Sequence, residues 1–186
     1  MDEQVPDATV LCRFRNTLSK QNAFEKILTR INEKMEQGGL MVNKGIIVDA
    51  LVTVTQRKPR GRKEYEVVED RKENEAVTVK EQQQSHVDIE AAWLKKGGKL
   101  YYGYKQHTAT NQEGFVLAVH TRPANESDMK NLEPTLNKLK LRPRTPVSCD
   151  KGYACEENDS LLIAKKLKNR ILYKALKNKP LTQITH

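Results

Sequence analysis

Long apolar runs are missing from this chain. None approaches the roughly 20 consecutive apolar residues of a membrane-crossing helix. The start, MDEQVPDATV, lacks the basic-then-apolar pattern of an export signal. The expected protein is therefore soluble and cytoplasmic, with no membrane partner. Cysteine is scarce as well. Cys12, Cys149 and Cys155 are odd in number and form no CxxC pair, which argues against a disulfide framework or a zinc site and for reduced thiols. Aromatic residues are 5% and hydrophobic residues 37% of the chain, and the mean hydropathy is -0.74. A core must then be concentrated in a few segments. The 186 residues suit one ordinary domain with a small appended segment.

Positive charge is what the chain has in excess. Lys and Arg number 33 against 24 Asp and Glu, a formal net charge of +9. Such a balance favours a polyanionic partner, nucleic acid above all, through counterion release.

The apolar segments read as follows. RFRNTLSKQNAFEKILTRINEKMEQGG predicts one amphipathic helix, with Phe24, Ile27, Leu28, Ile31 and Met35 at helical spacing, Phe14 and Leu18 extending the stripe, and Gly38-Gly39 as the stop. GIIVDALVTV then predicts a β-branched strand, apolar on both faces and so covered on both sides. Residues 56–84 carry eight basic and seven acidic residues with little periodicity, the mark of an exposed or disordered insertion. Its RKPRGRK cluster supplies candidate phosphate contacts at Arg57, Lys58, Arg60, Arg62 and Lys63. Two strands, 100–109 and 115–121, are joined by the turn NQEG. A helix capped by Asn125 follows, with Pro134 implying a kink or a later start. TPVSC is a short buried-type strand ending at Asp150, a helix runs from about Glu156 to Lys168, and RILYKA is the last strand.

Helix, strand, hairpin, helix, strand, helix, strand is the element order of a ribonuclease H-like α/β fold, a mixed sheet flanked by helices. Residues 1–40 are expected as an N-terminal helical segment and 41–186 as a partial catalytic domain with an exposed insertion at about 56–99. In that architecture the first and fourth strands are parallel neighbours, which brings Asp49 and Asp150 together. A lone carboxylate in an apolar strand costs several kcal/mol unless paired or metal-bound. Two converging carboxylates suit magnesium or manganese, and a pair of such ions suits phosphodiester displacement. A strand-edge position for Asp49, bonded to backbone donors, is the alternative.

The segments TVLCRFRNTL, GIIVDALV, AAWLKKGGKLYYGYKQH, VLAVHTRPANESD, SCDKGYACEEN and ILYKALKNKPLT, in this order, resemble DDE transposases of bacterial insertion sequences. The resemblance is to the "insertion sequence five" group of the "insertion sequence four" superfamily and covers nearly the whole chain. It implies that Asp49 and Asp150 are the first two catalytic, metal-binding carboxylates. Lys105 and His107 of GYKQH are then expected to contact DNA. Trp93 and the tyrosines from 101 to 104 either stack on bases or pack the sheet. The family's third carboxylate, a Glu in a Tyr, Arg, Glu, Lys signature on a C-terminal helix, should follow NKPLT and is not in this sequence. The expected protein is accordingly a truncated transposase, inactive alone, that binds double-stranded DNA at insertion-sequence ends. It would be nucleoid-associated when bound, with a homo-oligomer or full-length transposase as partner. The alternative is a noncatalytic remnant that binds DNA or full-length transposase as a regulator.

Overall fold

The computed structural model of the chain describes residues 5–40, 44–60, 65–68, 78–81 and 86–173. The stretch expected as one N-terminal helix is two, α1 (Ala8–Lys20) and α2 (Ala23–Gln37). Asp7 caps α1, its carboxylate accepting from the Val10 N–H at 2.8 Å. The run breaks at Asn22, whose φ of 50° is left-handed, a conformation Asn adopts more readily than most residues.

The strands are β1 (Ile46–Val54), β2 (Tyr65–Val68), β3 (Thr78–Glu81), β4 (Ala92–Lys96), β5 (Lys99–Asn111), β6 (Val116–Pro123), β7 (Pro146–Cys149) and β8 (Lys168–Ile171). The later helices are α3 (Leu132–Asn137) and α4 (Glu156–Ala164). A 3-10 turn at Asp128–Asn131 precedes α3, so that helix starts later than Asn125. The late start leaves Pro134 in the first turn, where its missing N–H costs nothing. The main sheet has the order β4-β5-β1-β7-β8, with β6 paired to β5. It is mixed: β1, β7 and β8 run parallel, and β4 meets β5 antiparallel. This is the ribonuclease H-like arrangement expected from the element order.

The chain divides into two compact units, one of Met1–Leu51, His107–His120 and Ser127–His186, the other of Val52–Gln106 and Thr121–Glu126. In the first, Ile46 and Val48 of β1 and Val147 and Cys149 of β7 are buried with Leu132, Leu136 and Leu162 of the helices. Each such aliphatic side chain contributes about 1.5–3 kcal/mol on full burial. Here β1 departs from the sequence reading. Among the described residues only one of its faces is covered, and Ile47, Asp49 and Leu51 on the other are exposed. Its unbroken run of apolar residues mimics a strand packed on both sides.

The second unit also differs from expectation. The stretch read as an irregular insertion contains an antiparallel ribbon of β2 and β3, with Val67 opposite Val79. Residues 92–96, within the span expected as insertion, form β4 and pair with β5 from Ala92↔Gly103 to Lys96↔Lys99. A Gly97-Gly98 turn with φ of 58° and 77° joins them, the positive-φ pair that two-residue hairpins demand. Gly103 is needed for close approach, since a Cβ there would overlap the Thr53 carbonyl oxygen and lie 2.9 Å from Val54 Cα. Trp93 and Tyr102 pack ring to ring at 5.0 Å, so these aromatics pack the sheet. The Tyr102 hydroxyl donates to the Asp88 carbonyl and the Tyr104 hydroxyl to the Asp88 carboxylate, each at 2.7 Å.

Candidate active site

The site is assembled in the first unit by the parallel pairing of β1 with β7. Register pairs Ile46, Ile47 and Val48 with Val147, Ser148 and Cys149. One step further along both strands stand Asp49 and Asp150. Alternation along the strands sets both on the exposed face, opposite the buried Val48 and Cys149. Neighbouring strands lie about 4.8 Å apart, so the two carboxylates rise from adjacent backbones. Neither is buried, and the desolvation cost inferred from the apolar run does not arise, because Asp49 is on the uncovered face.

Local backbone geometry orients each carboxylate. Asp49 Oδ1 accepts from the Ala50 N–H at 2.8 Å, and Asp150 Oδ1 accepts from the Lys151 N–H at 2.7 Å. The groove they line has a volume of about 940 Å³ and includes Ile47, Ser148, Arg170 and Leu172. The register Ser148↔Arg170 sets Ile47, Ser148 and Arg170 in one row across three strands. Among the described residues no third His, Cys, Asp or Glu joins the pair in a metal-binding cluster.

Beneath Asp150 the turn is held by buried polar contacts that the sequence did not disclose. Asp150 leads into a 3-10 turn, Lys151–Tyr153, and the Tyr153 N–H donates to the Asp150 carbonyl at 3.0 Å. The Tyr153 ring is 1% exposed, and its hydroxyl lies 2.7 Å from Nδ1 of His107, which is 0% exposed. The two rings meet edge to face. Asn158, also buried, donates to the carbonyls of Tyr153 at 2.7 Å and Met129 at 3.0 Å. Burial pushes the Tyr153 phenol up from its ordinary value, and the carboxylates of Asp128, Asp49 and Asp150 add to the shift. The Cys149 thiol is pushed up to about 12, chiefly by burial, and all three cysteines are free.

The residues expected to touch DNA are placed differently from one another. Arg57, Lys58 and Arg60 are exposed, with Arg57 Nε donating to the His86 carbonyl at 3.3 Å. Arg62 and Lys63 lie outside the described residues. Lys105 is half-buried and donates to the Glu126 carbonyl at 2.7 Å. His107 corrects the expectation directly: it is fully interior, and its ring faces Tyr153 rather than solvent. Its place on β5, with alternate residues Ala109 and Asn111 also buried, follows from strand parity. That parity was readable only once the strand's covered face was known.

Residues 42–184 match the family model described as "Transposase DDE domain". The chain is 36% identical, over 174 residues, to the transposase for insertion sequence element IS1106 of Neisseria meningitidis serogroup B. That alignment takes in 92% of this chain and 57% of the relative, so the chain spans little more than half the relative's length. Among solved structures, a piggyBac transposase synaptic complex with hairpin DNA, determined by cryo-EM, aligns with 75% of this chain and 24% of its own at 7% identity and a TM-score of 0.39. With the family model covering most of its length and the paired aspartates inside the matched region, the chain belongs to the transposase DDE domain family.

Proposed function

We propose that this chain supplies the carboxylate face of a DNA transposase, which cuts and joins phosphodiesters at insertion-sequence ends. The observation that carries the reading is the β1–β7 register, which stands Asp49, within β1, beside Asp150, the residue that follows β7. The donor set suits a hard divalent cation, magnesium or manganese. Two water-exposed carboxylates, with no His or Cys joining them in a cluster among the described residues, match an ion that takes one or two carboxylates and completes its shell with water and phosphate oxygens. When bound, a pair of such ions activates an attacking oxygen and stabilises the leaving one.

The chain's own residues do the rest. Asp49 and Asp150 would hold the ion, and they are oriented by the Ala50 and Lys151 N–H groups. The His107–Tyr153 contact and Asn158 keep the Asp150 turn in place. Arg170 offers a cation to a phosphate lying in the groove. Arg57, Lys58, Arg60, Arg62, Lys63 and Lys105 are the proposed contacts to duplex DNA. With two carboxylates and no third ligand among the described residues, ion binding is weak and this chain alone performs little strand transfer. That same shortage favours a second reading, a noncatalytic protein that binds DNA or full-length transposase as a regulator.

Manganese titration followed by electron paramagnetic resonance tests the site. Binding lost in Asp49→Asn supports it, and binding unchanged in that variant sinks it. Magnesium-dependent cleavage of insertion-sequence ends by the 186-residue chain, abolished by Asp49→Asn, would establish activity and overturn both the predicted inactivity and the regulator reading.

A further inference from the structure

β7 and β8 begin at the end of the first unit away from the aspartates. β7 spans four residues, about 13 Å at 3.3 Å each, from Pro146 to the edge that carries Asp150. At this far end lie the loop between α3 and β7 and the loop between α4 and β8. Residues 134–149 and 160–173 hold eight Lys and Arg and no Asp or Glu. Lys138 is engaged by Glu25 and the Val119 carbonyl, and Lys165 by Asn137. Lys140, Arg142, Arg144, Lys166, Lys168 and Arg170 are all exposed, and none makes an ion pair among the described residues.

Two features separate this surface from an ordinary solvated face. The loops are tied to each other through the backbone: the Arg144 N–H donates to the Lys166 carbonyl at 2.7 Å, and the Lys168 N–H donates to the Thr145 carbonyl at 3.0 Å. The cations thus project from a fixed frame, and less ordering is lost when a partner binds. The residues joined by the first of these bonds are also the strained ones. Arg144 has φ of 67° and Lys166 of 56°, left-handed positions where glycine would sit without strain. Lys166 closes α4, its N–H and that of Leu167 donating to the carbonyls of Ile163 and Leu162, so a long cation stands where a helix stop usually has glycine. From this end Lys168 and Arg170 continue along one side of β8, opposite Pro146 and Ser148, toward the groove that holds the aspartates.

We infer that the paired loops form a separate docking surface for the phosphodiester backbone of duplex DNA, leading along β8 to the Asp49–Asp150 groove. The inference rests on the DNA transposase reading for its partner. A duplex carries one negative charge per about 1.7 Å of axis, so several fixed cations engage successive phosphates without reading bases.

The test uses the 186-residue chain and a labelled duplex, with affinity read by fluorescence anisotropy between 50 and 200 mM salt. The variant Arg144→Gly/Lys166→Gly removes two cations at positions where glycine relieves strain, so its melting temperature should hold or rise. Losing two phosphate contacts lowers the slope of log affinity against log salt by about 1.8, and the ratio of Kd at 200 mM to that at 50 mM shrinks roughly 12-fold. A slope equal to wild type, with the fold intact, overturns the inference, and overturns it more pointedly if Lys58→Gln/Arg60→Gln alone lowers the slope. Absence of salt-dependent duplex binding by the wild-type chain overturns the DNA reading on which the inference rests.

Discussion

Tyr153→Phe is the most informative single change, because it removes one oxygen and no other heavy atom. That oxygen lies 2.7 Å from His107 Nδ1, in a site where Tyr153 is 1% and His107 0% exposed. Water cannot take the place of the lost hydroxyl without repacking the core. Leaving a buried polar atom without its partner costs about 1–3 kcal/mol, and the small void adds little beyond that. For a chain of this size such a loss lowers Tm by about 2–12 °C. Thermal and urea denaturation followed by circular dichroism would measure it. A cycle with His107→Ala should show a coupling of about 0.5–3 kcal/mol. The contact also braces the turn after Asp150, so manganese affinity should fall in Tyr153→Phe although neither proposed ligand is touched. Wild-type stability in the variant, or zero coupling in the cycle, would refute the claim that the two rings hold this turn.

Two further outcomes follow from the same structure. Burial, first, and nearby carboxylates raise the phenol pKa of both Tyr153 and Tyr104 above 10.0 in the folded chain, so above about pH 10 the unfolded chain loses these protons while the folded chain keeps them. Their contribution to stability is complete below that pH and is lost as pH rises through the folded values. Urea midpoints should fall above pH 10, with these two phenols absent from the 295 nm titration until unfolding; a flat profile would contradict this. Gly103→Ala sets a Cβ against the Thr53 carbonyl and 2.9 Å from Val54 Cα, both backbone, and should cost at least about 1–3 kcal/mol. A substituted chain with an unchanged melting temperature would show that β1 and β5 separate more easily than their packing implies.

Particular residues show how far the sequence reading reached. The hairpin at NQEG and the strand before Asp150 are visible because each depends on local chemistry, turn residues and β-branching, whereas Pro134 leaves a kink and a later start equally open and the structure has the later start. The Gly97-Gly98 turn is equally local, but Lys95, Lys96 and Lys99 give the strands beside it the pattern of an exposed charged stretch. The break at Asn22 escaped because an apolar stripe at helical spacing continues on both sides of it. His107 is expected at the DNA through the resemblance of GYKQH to the family's motif, and neither a motif nor polarity along a strand says which face is covered.

By itself the sequence determined the order of β1, the β5–β6 hairpin, α3, β7, α4 and β8, the two aspartates that follow β-branched runs, and the excess of positive charge, all properties of local chemistry and composition. Tertiary structure alone decided that Asp49 and Asp150 are neighbours on an exposed face, that His107 and Tyr153 meet inside, and that two distant basic loops are joined through Arg144 and Lys166. These depend on the register and parity of strands far apart in the chain. Register is set by which face of each strand the helices bury, and a shift of one residue would turn both aspartates into the core.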